Sequence, residues 1–106
     1  MDDETIVLVA RFEAKAGFGP KVRKALLRMG EEVKKNEPGC LSYVVHRSLE
    51  HDGVFLLYET YKNKDALAAH RETPFFKDLI EGQVVPHLAV RQRELYSVCV
   101  NGDDEQ

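Results

Sequence analysis

Residues 54–80 read VFLLYETYKNKDALAAHRETPFFKDLI, and this stretch decides the predicted fold. Its first part is rich in aromatic and branched apolar residues, which predicts a β-strand over residues 54–61. Asn63 follows and can cap a helix over residues 64–72. The Thr-Pro step at residues 73–74 then ends that helix and begins another, because threonine caps helices and proline suits a first helical turn. The stretch therefore predicts a strand followed by a helix that is broken in two.

Three further strands and one long helix are predicted in the rest of the chain. Runs of β-branched and apolar residues predict strands over residues 5–13, 40–48 and 89–98. Apolar residues at helical spacing predict a helix from Pro20 to the Asn-Glu-Pro-Gly step at residues 36–39. That helix buries one face, formed by Val22, Ala25, Leu26, Met29 and Val33.

The resulting order, β-α-β-β-α-β, predicts an α+β fold of the ferredoxin-like type. In this arrangement helices cover one face of a four-stranded antiparallel sheet. We expect one domain over residues 1–106, with a core at about 5–98 and a polar, frayed tail at 100–106. The second half of the broken helix is expected to fade near Gly82.

Strands one and three carry apolar residues at successive positions, as in Ile6-Val7-Leu8 and Phe55-Leu56-Leu57. Successive residues of a strand face opposite sides of the sheet, so both of its faces are predicted to be apolar. The helices can cover only one face. We therefore expect a homodimer in which two sheets pack face to face, the alternative being an unusually apolar monomer.

The composition limits the class of protein. A net charge of −3 argues against dedicated binding of nucleic acid or an anionic membrane, since both require concentrated positive charge. No apolar run reaches the roughly 20 residues that cross a bilayer, and the acidic N-terminus does not resemble a secretory signal. A cytoplasmic protein is expected. Cys40 and Cys99 form no CxxC pair, so both are expected to be reduced thiols with a packing role.

Two titratable residues are the candidate catalytic groups. His70 lies three and four residues after Leu67 and Ala66, so it shares their inward face of the helix. It suits a general base, because histidine titrates near physiological pH; a structural histidine bonded to a backbone carbonyl is the alternative. Glu59 lies within the apolar third strand and must be paired or protonated there. It is expected either to orient His70, to bond a substrate hydroxyl or to form a structural pair.

Aromatic residues near these groups suit either the core or a pocket for a flat ring. The candidate substrate-binding residues are Tyr43, Tyr61, Phe75, Phe76 and Arg91. The sequence contains no GxGxxG, P-loop, HExxH or GxSxG motif, and its other histidines do not form a metal cluster by spacing. An enzyme with this sequence is therefore expected to work without nucleotide, flavin or metal.

The sequence FLLYETYKNKDALAAHRETPFF, residues 55–76, resembles the signature of the antibiotic biosynthesis monooxygenase family. EPGCLSYVVHRS, residues 37–48, is similar to the second strand of that family, and the resemblance extends over roughly residues 5–98. It implies a dimeric α/β barrel of ferredoxin-like subunits. It also implies that Glu59 matches the family glutamate and His70 the histidine of its short helix.

The family includes cofactor-free oxygenases of quinols and polyphenols, haem-degrading proteins and isomerases of small signalling sugars. Two departures separate this chain from the family pattern. Phe75 follows Thr-Pro where many members have a second histidine, and Tyr61 stands where tryptophan is frequent. Because the chain has no tryptophan, haem cleavage is not expected.

Three functions therefore remain open. The first is a cofactor-independent monooxygenase that acts on a small quinol or polyphenol together with dioxygen. The second is an isomerase of a small hydroxyketone, in which His70 and Glu59 move a proton. The third is a non-catalytic module that binds a small ligand. Only the first requires oxygen.

Overall fold

The computed structural model describes residues 4–99. The tail predicted at residues 100–106 lies outside the described residues. Within residues 4–99 no helix combines the length and the apolar composition that a membrane-spanning helix needs.

The described chain forms four strands and two α-helices in the predicted order. The strands are β1 (Ile6–Ala14), β2 (Cys40–Arg47), β3 (Val54–Tyr61) and β4 (Leu88–Ser97). The α-helices are α1 (Gly19–Asn36) and α2 (Lys64–Glu72), followed by a π-helix (Phe76–Val84) and one 3₁₀ turn (Val85–His87). The predicted α+β class and ferredoxin-like order are thus confirmed, with strand ends that differ from the prediction by at most one residue.

The four strands form one antiparallel sheet in the order β2-β3-β1-β4. Leu8 of β1 lies opposite Glu59 of β3 on one side and Leu95 of β4 on the other. This register places Glu59 in the centre of the sheet, on the face that the helices cover. The apolar face predicted for α1 is confirmed, since all five of its residues are buried against this side of the sheet.

The opposite face of the sheet carries apolar side chains that remain exposed. Val44 and Tyr58 lie opposite each other on β2 and β3, and are 45% and 41% exposed. Leu56 and Tyr96 extend the patch and are 39% and 49% exposed. We call this surface the outer face of the sheet.

The break in the second helix differs from the prediction in one respect. Thr73 accepts a hydrogen bond from the backbone N–H of Phe76 and donates one to the carbonyl of His70, so it serves both helix ends. The segment beyond it is a π-helix that continues to Val84, where an α-helix fading near Gly82 was predicted. The π-helix has one additional residue per hydrogen-bonded ring, which apolar spacing does not reveal.

The start of β2 lies unusually close to α2. A Cβ atom on Gly39 would meet the Cβ of Ala66 at 2.8 Å, which real side chains do not tolerate. The backbone N–H of Lys62 donates to the Gly39 carbonyl at 2.9 Å and fixes the same approach. Glycine at this position therefore allows α2 to pack next to the end of α1.

Candidate active site

His70 is buried in the space between α2 and the sheet, with 3% of its surface exposed. The cap at Asn63 begins α2 as predicted, since its side chain accepts a hydrogen bond from Ala66 at 2.9 Å. The imidazole packs between two aromatic rings, with its centre 5.2 Å from that of Tyr61 and 5.1 Å from that of Phe76. A polar ring in such surroundings needs hydrogen-bond partners.

Glu37 supplies that partner. Its carboxyl oxygens lie 2.8 and 3.1 Å from Nδ1 of His70. A carboxylate only accepts hydrogen bonds, so Nδ1 carries the proton and donates to Glu37. The proton on Nδ1 leaves the Nε2 atom of the neutral ring with a free lone pair. His70 is therefore bonded to a side-chain carboxylate, and not to a backbone carbonyl as the structural alternative proposed.

Glu59 lies on the other side of the imidazole, with Oε1 3.8 Å from Nε2 of His70. This separation is too long for a hydrogen bond. The hydroxyl of Tyr61 instead donates to Glu59 Oε1 at 2.5 Å. Glu37 thus makes the contact with His70 that was predicted for Glu59, while Glu59 lies on the Nε2 side of the ring.

Burial raises the pKa of the Glu59 carboxyl, although the Tyr61 hydroxyl and the nearby His70 favour its charged form. Burial also raises the pKa of the Cys40 thiol to about 12, with Glu59 and Glu37 adding to the effect. The pKa of the Tyr61 phenol is raised by burial and by Glu59. The Cys40 thiol and the Tyr61 phenol are therefore neutral at physiological pH.

A small cavity lies beside His70 and Glu59. Its volume is about 20 Å³, which is room for roughly one water molecule. Tyr43, Phe76 and Arg91 line it together with the two candidate catalytic residues. The structure thus brings three of the five predicted substrate-binding residues to the cavity.

Tyr61 and Phe75 do not line this cavity. Tyr61 is fully buried below it, where its hydroxyl bonds Glu59, because its position in β3 directs the ring into the core. Phe75 is half-buried and packs on the core beside the helix break. Phe75 directly precedes the π-helix, and its neighbour Phe76 is the phenylalanine whose ring packs against the imidazole.

Three residues of the candidate site were not predicted from the sequence, namely Glu37, Arg71 and Arg93. Arg71 and Arg93 line the cavity, and Glu37 lies behind His70. One signal was present for Glu37. A carboxylate next to a helix C-terminus interacts unfavourably with the helix dipole, so its presence there indicates a compensating contact elsewhere. The arginines gave no such signal, since arginines at these positions are typical of a solvated surface.

A larger cavity of about 530 Å³ lies at the end of the sheet where β1 finishes and β3 begins. Its charged and titratable side chains are all exposed to solvent: Lys15, Arg23, Arg47, His51 and Asp52. Burial is what adapts acid and base groups for catalysis. We therefore assign the candidate active site to the smaller cavity beside His70.

Residues 5–82 match the family described as antibiotic biosynthesis monooxygenase. This match covers well over half of the 106 residues. The chain belongs to the antibiotic biosynthesis monooxygenase family. The resemblance identified from the sequence is therefore confirmed at the level of the family.

Solved structures of this family have the same fold. A "putative antibiotic biosynthesis monooxygenase" from Caulobacter crescentus is 31% identical, with a TM-score of 0.83 over 91% of each chain. A protein of the same description from Nitrosomonas europaea superposes with a TM-score of 0.83 over 92% of this chain and 93% of its own. At 23% identity, this second likeness concerns the fold alone.

A curated relative, the uncharacterized protein sll1783 of Synechocystis, is 28% identical over 96 residues. The match covers 88% of this chain and 61% of that relative. The chain thus spans less than two thirds of the length of this relative.

The raised pKa of Glu59 predicts how stability depends on pH. Between the ordinary carboxyl pKa of 4.5 and the raised pKa of the folded state, the folded protein binds more protons than the unfolded chain. The free energy of unfolding, relative to a Glu59→Gln variant, should therefore be highest below that ordinary pKa. It should fall as the pH rises through the folded pKa, by about 1.4 kcal/mol for each pH unit that separates the folded and unfolded pKa values.

Urea unfolding of both proteins between about pH 4 and pH 8 measures this difference. The glutamine keeps an oxygen that accepts from Tyr61, so the variant lacks only the titration. A difference that rises with pH would show that His70 and Arg71 keep Glu59 charged, contrary to the assignment.

Proposed function

We propose that this protein is a cofactor-independent monooxygenase that acts on a small quinol or polyphenol. The observation that carries the proposal is the pairing of His70 with Glu37. This pairing fixes the proton on Nδ1, the ring nitrogen next to Glu37. The other nitrogen, Nε2, is on the side of Glu59, which lines the cavity, whereas Glu37 does not. Membership of the antibiotic biosynthesis monooxygenase family supports this function over others that the ferredoxin-like fold can carry.

In the proposed reaction, Nε2 of His70 removes a proton from a phenolic hydroxyl. The resulting phenolate is electron-rich and transfers one electron to dioxygen, after which the ring and superoxide combine into a peroxide. Loss of water from this peroxide leaves a hydroxyquinone. One oxygen atom enters the ring and the other leaves as water, and the ring supplies all of the electrons. The scheme requires no metal, flavin or nucleotide.

The negative charge of Glu37 would stabilise the imidazolium that forms in the first step. The Glu59 carboxyl, which lines the cavity next to Nε2, would contact the second oxygen of the quinol. Phe76 and Tyr43 would hold the ring and exclude water from the oxygen-sensitive intermediate.

The cavity must enlarge before a ring can enter, since about 20 Å³ holds no more than a water molecule. Arg91 and Arg93 contribute exposed side chains to its wall. Long exposed side chains change rotamer rapidly. We propose that their displacement opens the cavity towards β4, without movement of the sheet.

Replacement of His70 by alanine tests the base directly. Turnover of a quinol should fall by a factor of about 10² to 10⁴, which is the usual contribution of a general base. Glu37→Gln should also reduce turnover, because an amide can donate as well as accept and no longer fixes the tautomer. Glu59→Gln should reduce turnover by a smaller factor than His70→Ala. Oxygen consumption with a panel of hydroquinones measures all three effects.

Glu31→Gln is the matched control for Glu37→Gln, since Glu31 lies on α1 and is exposed. It should retain full turnover. Thermal melting of every variant separates loss of chemistry from loss of folding. Full activity in a folded His70→Ala protein would exclude His70 as the base.

One observation favours an isomerase as the second candidate. A carboxyl of raised pKa and an imidazole with a free nitrogen lie 3.8 Å apart, and such a pair can protonate one carbon or oxygen while it deprotonates another. Conversion of a small hydroxyketone without oxygen, together with no oxygen consumption on any quinol, would select this function.

We also propose that the protein is a homodimer in which the outer faces of two sheets pack together. The support is the apolar patch formed by Val44, Leu56, Tyr58 and Tyr96, which the helices of the same chain do not cover. A stable interface of this type buries on the order of 800 Å² per partner, which is compatible with a sheet face.

Sedimentation at micromolar concentration should therefore give twice the chain mass of 12.1 kDa. Tyr58→Lys should shift the protein to the monomer mass, because it places a charge in the middle of the apolar interface. Leu49→Lys is the control, since Leu49 is 96% exposed in the turn between β2 and β3 and should leave the dimer intact. A monomeric wild-type protein would contradict the proposal.

A further inference from the structure

Three arginine side chains line the cavity beside His70. Arg71 comes from α2, one residue after the catalytic candidate, while Arg91 and Arg93 come from β4. Arg91 lies opposite Phe12 and Arg93 opposite Ala10, so both extend from the face of the sheet that carries Glu59. Positive charge is thus concentrated at one place in a chain whose net charge is −3.

Glu59 is the one carboxyl among the described residues that line this cavity, so three guanidinium groups face a single acidic group there. Within residues 4–99 no carboxylate forms a salt bridge with Arg71, Arg91 or Arg93. The Nη2 atom of Arg71 is buried and has no hydrogen-bond partner in the same range. A buried guanidinium N–H without an acceptor is destabilising, because it has lost its water and gained nothing in return.

The three guanidinium groups also influence one another. Burial lowers the pKa of Arg93, and the charges of Arg71 and Arg91 lower it further. Like charges held this close disfavour the folded state unless an anion lies between them. A bound anion would relieve this repulsion.

We propose that this arginine cluster binds a carboxylate of the substrate, so that the natural substrate is an anionic phenol. This inference rests on the proposed function for the aromatic part of the substrate and extends it. The fork of a guanidinium group matches the two oxygens of a carboxylate, and Arg71 Nη2 is a donor in need of such an acceptor. The ring would then lie against Phe76, with its hydroxyl towards His70.

Titration calorimetry with four ligands tests the charge requirement separately from turnover. The ligands are 2,5-dihydroxybenzoate, its methyl ester, hydroquinone and benzoate. The dihydroxybenzoate should bind at least about tenfold more tightly than the neutral ester, which is the effect of one charge-assisted hydrogen bond. Benzoate should also bind, since it retains the carboxylate. The preference should weaken as salt is added.

Arg71→Gln and Arg91→Gln should each reduce the preference for the carboxylate over the ester. The affinity for hydroquinone, measured on the same variants, gives their effect on ring binding, and the carboxylate-to-ester ratio is compared after that effect is divided out. Arg28→Gln is the matched control, because Arg28 is exposed on α1 and its replacement removes the same charge. This control should keep the full preference.

The outcomes separate this inference from the proposed function. If carboxylates bind through Arg71 and Arg91 while no phenol consumes oxygen, the monooxygenase proposal fails and the anion site stands. If hydroquinone is oxidised and the carboxylate gives no advantage, the monooxygenase stands and the inference is wrong. It is also wrong if no carboxylate binds, or if the preference survives in both arginine variants.

Discussion

The hydrogen bonds between Glu37 and the imidazole of His70 join two segments that are distant in the sequence. Glu37 ends α1, and His70 lies near the end of α2. The contact forms only because α2 packs against the start of β2, where Gly39 leaves room for Ala66. Aromatic rings from β3 and the π-helix then enclose the imidazole. The proton on Nδ1 of His70, and the free lone pair on Nε2, follow from this one buried pair.

Most of the fold could be predicted because it depends on local patterns. The β-branched runs, the apolar face of α1 and the caps at Asn63 and Thr73 each act within a few residues. The π-helix could not be predicted, since its side-chain spacing resembles that of an α-helix over so short a segment. Its consequence is local, because it brings Phe76, and not Phe75, against His70.

The site was only partly predictable, for a physical reason. His70 and Glu59 were found because a polar residue in an apolar element is anomalous on its own. The arginines are unremarkable where they stand in the sequence, and the one anomaly of Glu37, a carboxylate next to a helix C-terminus, does not reveal its partner. Their importance arises from tertiary contacts, in particular the approach of the end of α1 to α2 and the position of β4 beside the cavity. Spacing along the chain contains no information about either contact.

The tautomer of His70 tests the central claim most directly. Nitrogen NMR of protein labelled in its histidines reports which ring nitrogen carries the proton. When His70 is neutral, the account predicts a proton on Nδ1 and none on Nε2, and a change in this balance in Glu37→Gln. A neutral ring protonated on Nε2, or a tautomer ratio that is unchanged in Glu37→Gln, would contradict the claim that Glu37 fixes the tautomer.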